Sequence, residues 1–107
     1  MSSVINIKTI TNYNKLLVSL QKKKKPTILI ISGWRLFFYS NEGNEPIHVH
    51  AEKAEMECKF WLYVDEYEIK EVHAFNMTSQ AKREIKKIIY DHFDYIVSEW
   101  NNYFLKK

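Results

Sequence analysis

The chain has 107 residues, 46% of them hydrophobic and 15% aromatic, which excludes a disordered protein and leaves room for one compact domain. The single cysteine, Cys58, excludes an internal disulfide, and no apolar run approaches the roughly 20 residues of a membrane-spanning helix. The formal net charge of +3 combines +7 in residues 1–40, −6 in residues 41–71 and +2 in residues 72–107.

Residues 1–25 are predicted to extend the domain with a short strand and a helix. The β-branched run Val4 to Ile10 favours a strand. Thr11 can then cap a helix over about residues 12–24. The four lysines Lys22 to Lys25 lie at its C-terminal end, where basic side chains favour the helix dipole. This run is either a solvated helix end or a patch that contacts phosphate.

Residues 27–74 carry the short, alternating apolar segments that are typical of an antiparallel sheet. Turn-forming residues separate the segments, notably Ser32-Gly33, Gly43 and Asp65-Glu66. The predicted strands are Thr27 to Ile31, Trp34 to Ser40, Ile47 to Glu52, Met56 to Val64 and Tyr67 to Ala74.

A helix is predicted at the C-terminal end, with Thr78 or Ser79 as N-cap and an end near Phe104. His92 is expected to be a core or boundary histidine of this helix. One broad apolar stripe recurs at helical spacing, made of Ile85, Ile88, Ile89, Phe93, Ile96, Val97, Trp100 and Phe104. We therefore predict a single α+β domain: an antiparallel meander sheet of four to five strands, a long C-terminal helix on one face and a shorter N-terminal helix.

Side-chain alternation assigns each predicted strand two faces. The apolar sets are Leu36 and Phe38, then Ile47, Val49 and Ala51, then Cys58, Phe60, Leu62 and Val64. Successive hairpins place these sets on the face that the long helix covers, where Cys58 is a buried, inert thiol. The opposite face, called the histidine face below, collects Arg35, Tyr39, His48, His50, Lys59, Trp61 and Tyr63. Alternation leaves open whether this face is exposed or covered by the N-terminal helix.

His48 and His50 are the candidate catalytic pair. Both rings project from one face of one strand, roughly 7 Å apart. They can act as base and acid on a ribose hydroxyl and a leaving oxygen, with Glu42 orienting one imidazole. The accompanying nucleic-acid or phosphate-binding candidates are Arg35 and Lys59 for phosphate and Tyr39 and Trp61 for base stacking.

Metal binding is the alternative use of the histidine pair, since two imidazoles can supply two zinc ligands. A third ligand has to come from His73, Glu42 or Glu52, and none of these lies at a sequence spacing typical of zinc-binding motifs. We therefore predict no metal and no other cofactor.

A third interpretation is that the protein binds a partner and catalyses no reaction. Arg35, Trp61 and Tyr63 are residue types that anchor protein interfaces, so the histidine face or a strand edge can dock a small partner protein. The uneven charge favours an electrostatically steered partner. No segment resembles a signal peptide, which predicts a cytoplasmic protein without a membrane partner. The sequence predicts no particular oligomeric state.

The run FFYSNEGNEPIHVHAEK, followed by KFWL and a helix ending in Trp, resembles the small bacterial family of domain of unknown function 4160. The resemblance covers about Pro26 to Phe104, which implies a family-like core of residues 26–104 and an N-terminal extension of residues 1–25 within a single domain. The residues on the family pattern are Tyr39, Ser40, Asn41, Glu42, Pro46, His48, His50, Lys59, Phe60 and Trp61. Family members often carry Pro-Pro before the first histidine, whereas here Ile47 follows Pro46.

The resemblance implies a component of a bacterial two-protein module of toxin–antitoxin type. Together with the residues above, it predicts a toxin-like RNA-binding or metal-independent RNA-cleaving module. The alternative is a non-catalytic module that binds a small partner protein. Whether the chain is an enzyme stays open at this stage.

Overall fold

A computed structural model describes residues 26–105, so the predicted N-terminal strand and helix lie outside the described residues. The described part is α+β, with an open antiparallel sheet in the order β1-β2-β3-β4-β5, followed by helices. The strands are β1 Thr27–Ile31, β2 Trp34–Phe37, β3 His48–Lys53, β4 Met56–Tyr63 and β5 Glu68–Phe75. The predicted meander is therefore confirmed. Within residues 26–105, no helix combines the length and apolar character needed to span a membrane.

Two tight turns set the register of the β1–β2 and β3–β4 hairpins. Ser32 and Gly33 both have positive φ, 53° and 82°, as a two-residue hairpin turn requires, and Ile31 pairs with Trp34. In the second hairpin Lys53 pairs with Met56. The turns therefore place all the apolar sets on one face of the sheet.

The β2–β3 connection, residues 38–47, is called the carboxylate loop here because it carries Glu42 and Glu45. The prediction extended β2 to Ser40, but the strand ends at Phe37. The backbone N–H of Glu42 donates to Tyr39 O at 3.2 Å, and that of Glu45 donates to Glu42 O at 3.0 Å. These consecutive turns fold the loop instead of prolonging the strand.

The prediction of one long C-terminal helix is wrong, because the helix is interrupted at His92. Helix α1 spans Ser79–Asp91, α2 spans Phe93–Trp100, and a π-helical turn covers Asn101–Leu105. His92 has φ −120° and ψ 25°, and its ring Nδ1 donates to Ile88 O at 2.9 Å. Ile88 O therefore accepts both this ring N–H and the backbone N–H of His92, the latter at 3.1 Å, and the non-helical backbone angles of His92 mark the break.

The helices and the apolar face of the sheet share one core. On the helices, the predicted stripe is buried at Ile85, Ile88, Ile89, Phe93, Ile96 and Trp100, and partly buried at Val97 and Phe104. On the sheet side, the core contains Phe38 from the start of the carboxylate loop and, from the strands, Ile28, Trp34, Leu36, Val49, Ala51, Cys58, Phe60 and Leu62. Val64 is 45% exposed because β4 ends one residue before it. Alternation thus predicted the core correctly within the strands.

Candidate functional site

The histidine face lies opposite the core, as the alternation predicted. Pairing places Phe37 beside His50, His50 beside Lys59, and Lys59 beside His73. The face therefore brings the predicted site residues together and continues onto β5. One half is buried, with His48 0% and His50 4% exposed. The other half opens to solvent, where Phe75 is 56% exposed.

Glu42 connects the carboxylate loop to both histidines of β3. Its Oε1 lies 2.7 Å from His48 Nε2, and its Oε2 lies 2.9 Å from His50 Nε2. The prediction had Glu42 orienting one imidazole, whereas the carboxylate contacts both. Glu42, His48 and His50 are called the Glu42 cluster below.

The Glu42 carboxylate is ionised despite its burial. Burial favours the neutral acid, but hydrogen bonds from His48 and His50 outweigh it and hold the pKa of Glu42 well below its usual range. His48 Nδ1 lies 2.9 Å from Pro46 O, which can only accept a hydrogen bond. Both ring nitrogens of His48 therefore face acceptors.

Aromatic side chains surround the two imidazoles. His50 stacks on Phe37, with ring centroids 5.3 Å apart and planes 16° apart. The edge-on contacts are His50 with Tyr39 at 4.6 Å, His48 with Trp61 at 5.4 Å and His48 with Trp100 at 4.9 Å. This packing fixes the ring orientations and shields both rings from a large substrate.

The two predicted phosphate contacts are each paired with a carboxylate. Arg35 Nη1 lies 2.8 Å from Glu52 Oε2, and Lys59 Nζ lies 2.9 Å from Glu45 Oε1. Lys59 also lies over the Trp61 ring, 4.6 Å from its centroid. A phosphate group bound here has to compete with these carboxylates.

Two further groups on this face, Tyr39 and His73, have shifted pKa values. Burial, followed by nearby carboxylates, raises the pKa of Tyr39, so its phenol stays protonated near neutral pH. Burial, followed by His50 and Lys59, lowers the pKa of His73. His73 Nδ1 and His50 Nδ1 are buried without a hydrogen-bond partner among residues 26–105.

Of the third ligands considered from sequence, Glu42 alone joins the two histidines. Its ligand atom and theirs lie within 4.8 Å of one another, and residues 26–105 contain no other such group. Glu52 instead pairs with Arg35, and the His73 ring centroid lies 6.4 Å from that of His50.

Sequence reasoning missed Glu45 and the carbonyl of Pro46. Glu45 pairs with Lys59 and approaches His48 Nδ1 to 3.8 Å. Both residues belong to the carboxylate loop, and a loop has no side-chain period from which its path can be read. Their position next to the histidines in sequence was the only available signal.

The matched family model is described as Domain of unknown function (DUF4160) and covers residues 33–101. This segment is 69 of the 107 residues and contains the whole Glu42 cluster and strands β2 to β5. No curated protein and no solved structure matches the chain.

Proposed function

We propose that this chain, which belongs to the family described as Domain of unknown function (DUF4160), docks a basic, extended segment of a small partner protein along β5. The observation that carries the proposal is a set of exposed apolar side chains on and next to β5. Its members are Tyr63, Val64, Tyr67, Val72 and Phe75, which are 39% to 56% exposed.

Strand β5 offers backbone groups as well as side chains. It is the last strand of the sheet and pairs with β4; no strand in the described part of the chain pairs with its other edge. Such an edge can accept an added strand through main-chain hydrogen bonds. The aromatic side chains beside it then provide the anchors of the interface.

Charge favours a basic partner. Residues 65–71 carry four acidic side chains and one lysine, Lys70. Over residues 26–105 the balance is eight Lys and Arg against thirteen Asp and Glu, a net −5. An acidic patch steers a cationic segment to the edge and disfavours an anionic one.

The test uses the full chain as bait in cells, followed by calorimetry with the purified partner. Val72→Glu and Phe75→Ala should each weaken the affinity tenfold or more, because both side chains are exposed and lie on β5 itself. Tyr103→Ala is the matched control, since Tyr103 is 42% exposed but lies on the π-helical turn. Equal affinities for the β5 variants and the wild type would refute the proposal.

RNA binding by a toxin-like module of a bacterial two-protein system is the second proposal. The arrangement of Lys59, Trp61 and Tyr63 supports this proposal. Lys59 lies over the partly exposed Trp61 ring, and Tyr63 follows two residues later, so a cation that can contact phosphate lies beside rings that can stack on bases. Residues 1–25 add six lysines and no acidic residue, which favours phosphate contact. Within this proposal we favour binding over metal-independent cleavage, because the side chains of His48 and His50 are only 0% and 5% exposed.

Fluorescence anisotropy with labelled single-stranded RNA tests the second proposal. Trp61→Ala should weaken binding about tenfold, as loss of one stacking contact does, while Tyr103→Ala should not. The affinity should also fall as salt is added. If RNA is degraded, His48→Ala and His50→Ala should abolish the degradation. Absence of binding at low salt would exclude this function.

A further inference from the structure

We propose that the Glu42 cluster is a binding site for one divalent transition-metal ion, with Zn²⁺ as the expected occupant. None of its three residues belongs to the exposed apolar set on and next to β5. Two imidazole nitrogens and one carboxylate oxygen converge within 4.8 Å of one another. They come from neighbouring parts of the chain, β3 and the carboxylate loop, which are themselves fixed by the sheet and by backbone turns.

The distances fit an ion after a small movement of Glu42. Its carboxylate lies 2.7 Å from His48 Nε2 and 2.9 Å from His50 Nε2. Zinc–ligand bonds of about 2.0–2.2 Å in a tetrahedral site put neighbouring ligand atoms roughly 3.4 Å apart. The two contacts therefore open by roughly 0.7 Å and 0.5 Å to admit the ion. Glu42 lies on a loop, so this movement leaves the strands in place.

The tautomer of His48 is the one that a metal ligand needs. Its Nδ1 donates to Pro46 O at 2.9 Å, an arrangement typical of metal-binding histidines, whose second nitrogen is held by a carbonyl or carboxylate. In the neutral ring, Nε2 then directs a lone pair at the Glu42 carboxylate. Two acceptors 2.7 Å apart need a cation between them: a proton on Nε2 fills this role in the metal-free protein, where Glu42 accepts the hydrogen bond, and a bound metal ion takes its place.

The surroundings support a preorganised site. The backbone N–H of Tyr39 donates to Glu42 Oε1 at 3.1 Å, and Phe37 stacks on His50. Burial removes competing water and strengthens the attraction between the carboxylate and a cation. Two nitrogen donors and one oxygen donor suit Zn²⁺ or Fe²⁺, whereas Mg²⁺ and Ca²⁺ prefer oxygen alone. Three protein ligands leave a fourth position for water or another donor.

The experiment starts from full-length protein stripped of metal with a chelator. Calorimetric titration with Zn²⁺ should give one ion per chain. Zn²⁺ at a hundred times its Kd should raise the melting temperature by roughly 10 °C or more. Mg²⁺ at the same concentration should leave it unchanged. Co²⁺ should give the visible absorption of a low-symmetry, four-coordinate ion.

Variants test which residues bind the ion. Glu42→Gln and His50→Ala should each weaken Zn²⁺ binding tenfold or more, as loss of a ligand does. His92→Ala is the matched control, because this histidine lies between α1 and α2 and should keep wild-type affinity. Circular dichroism checks that each variant is folded, and Glu42→Gln keeps the shape of the side chain. Folded wild-type protein that binds no Zn²⁺, a Co²⁺ spectrum like that of the free aqueous ion, or unchanged Zn²⁺ affinity in folded Glu42→Gln would each overturn the proposal.

Discussion

Glu42 determines the arrangement of the buried half of the histidine face. Its carboxylate accepts hydrogen bonds from both imidazoles and from the backbone N–H of Tyr39. Each buried polar group left without a partner costs about 1–3 kcal/mol. A residue on a loop therefore contributes to stability as much as a residue of the core does.

Glu42→Ala should lower the free energy of unfolding by about 3 kcal/mol, because it leaves two buried histidines without their hydrogen-bond acceptor. Glu45→Ala, on the same loop, should cost at most about 1 kcal/mol, since its side chain is 41% exposed and its ion pair with Lys59 is screened by water. Urea denaturation of both variants, with the protein stripped of metal, measures the difference. Equal losses would contradict the role assigned to Glu42.

Cys58 should be chemically inert in the folded protein. Burial, followed by Glu71 and Glu57, raises the pKa of its thiol from 9.0 to about 12. The reactive thiolate is therefore absent at pH 8, and a disulfide reagent should label Cys58 only after urea is added. Because the folded pKa is the higher one, the thiol's contribution to stability is present below pH 9 and is lost as the pH rises towards 12. Rapid labelling of native protein at pH 8 would contradict this.

At the scale of elements, α1 depends on a capping bond from Thr78, one of the two N-cap residues that the sequence offered beside Ser79. Thr78 Oγ1 accepts a hydrogen bond from the backbone N–H of Ala81 at 3.0 Å. Thr78→Ala should lower the free energy of unfolding by about 1 kcal/mol, because this N–H then has no partner. Thermal denaturation of Thr78→Ala beside Ser79→Ala measures the effect. The two variants should differ, since Ser79 lies inside the helix and is not its cap.

The break at His92 changes how the C-terminal end is built. The ring of His92 bonds to Ile88 O, and α2 then begins at Phe93, which is fully buried. The two short helices keep the same apolar stripe against the sheet as one long helix would. The interruption therefore alters the path of the backbone without removing residues from the core.

At the scale of the whole molecule, the carboxylate loop meets the C-terminal end of the chain. A Cβ added at Gly43 would lie 2.8 Å from Phe104 Cδ1, closer than carbon atoms approach. Phe104 in turn packs against Phe38 and Trp100. The loop that carries Glu42 is thus bounded by residues about sixty positions away in the sequence.

Gly43→Ala should lower the free energy of unfolding by about 1 kcal/mol, because the Phe104 ring must move. In a Phe104→Leu background the same substitution should become neutral or stabilising by about 0.5 kcal/mol, since alanine restricts the unfolded chain. A double-mutant cycle by urea denaturation gives the coupling. Additive effects would show that loop and terminus are not in contact.

The sequence by itself determined which side chains share a face. Strand side chains alternate with period two and burial fixes the register, so His48, His50 and Lys59 were placed together before any fold was known. Helical spacing likewise identified the stripe from Ile85 to Phe104 that covers the sheet. These are local periodicities, and the core follows from them directly.

Only the tertiary structure decided that one carboxylate reaches both histidines, that half of the histidine face is buried, and that the helix breaks at His92. The carboxylate loop has no periodicity, and its path depends on backbone turns and on contact with the distant Phe104. The helix break coincides with one ring nitrogen bonding to a backbone carbonyl. Such contacts are single, non-repeating events, and no pattern along the chain encodes them.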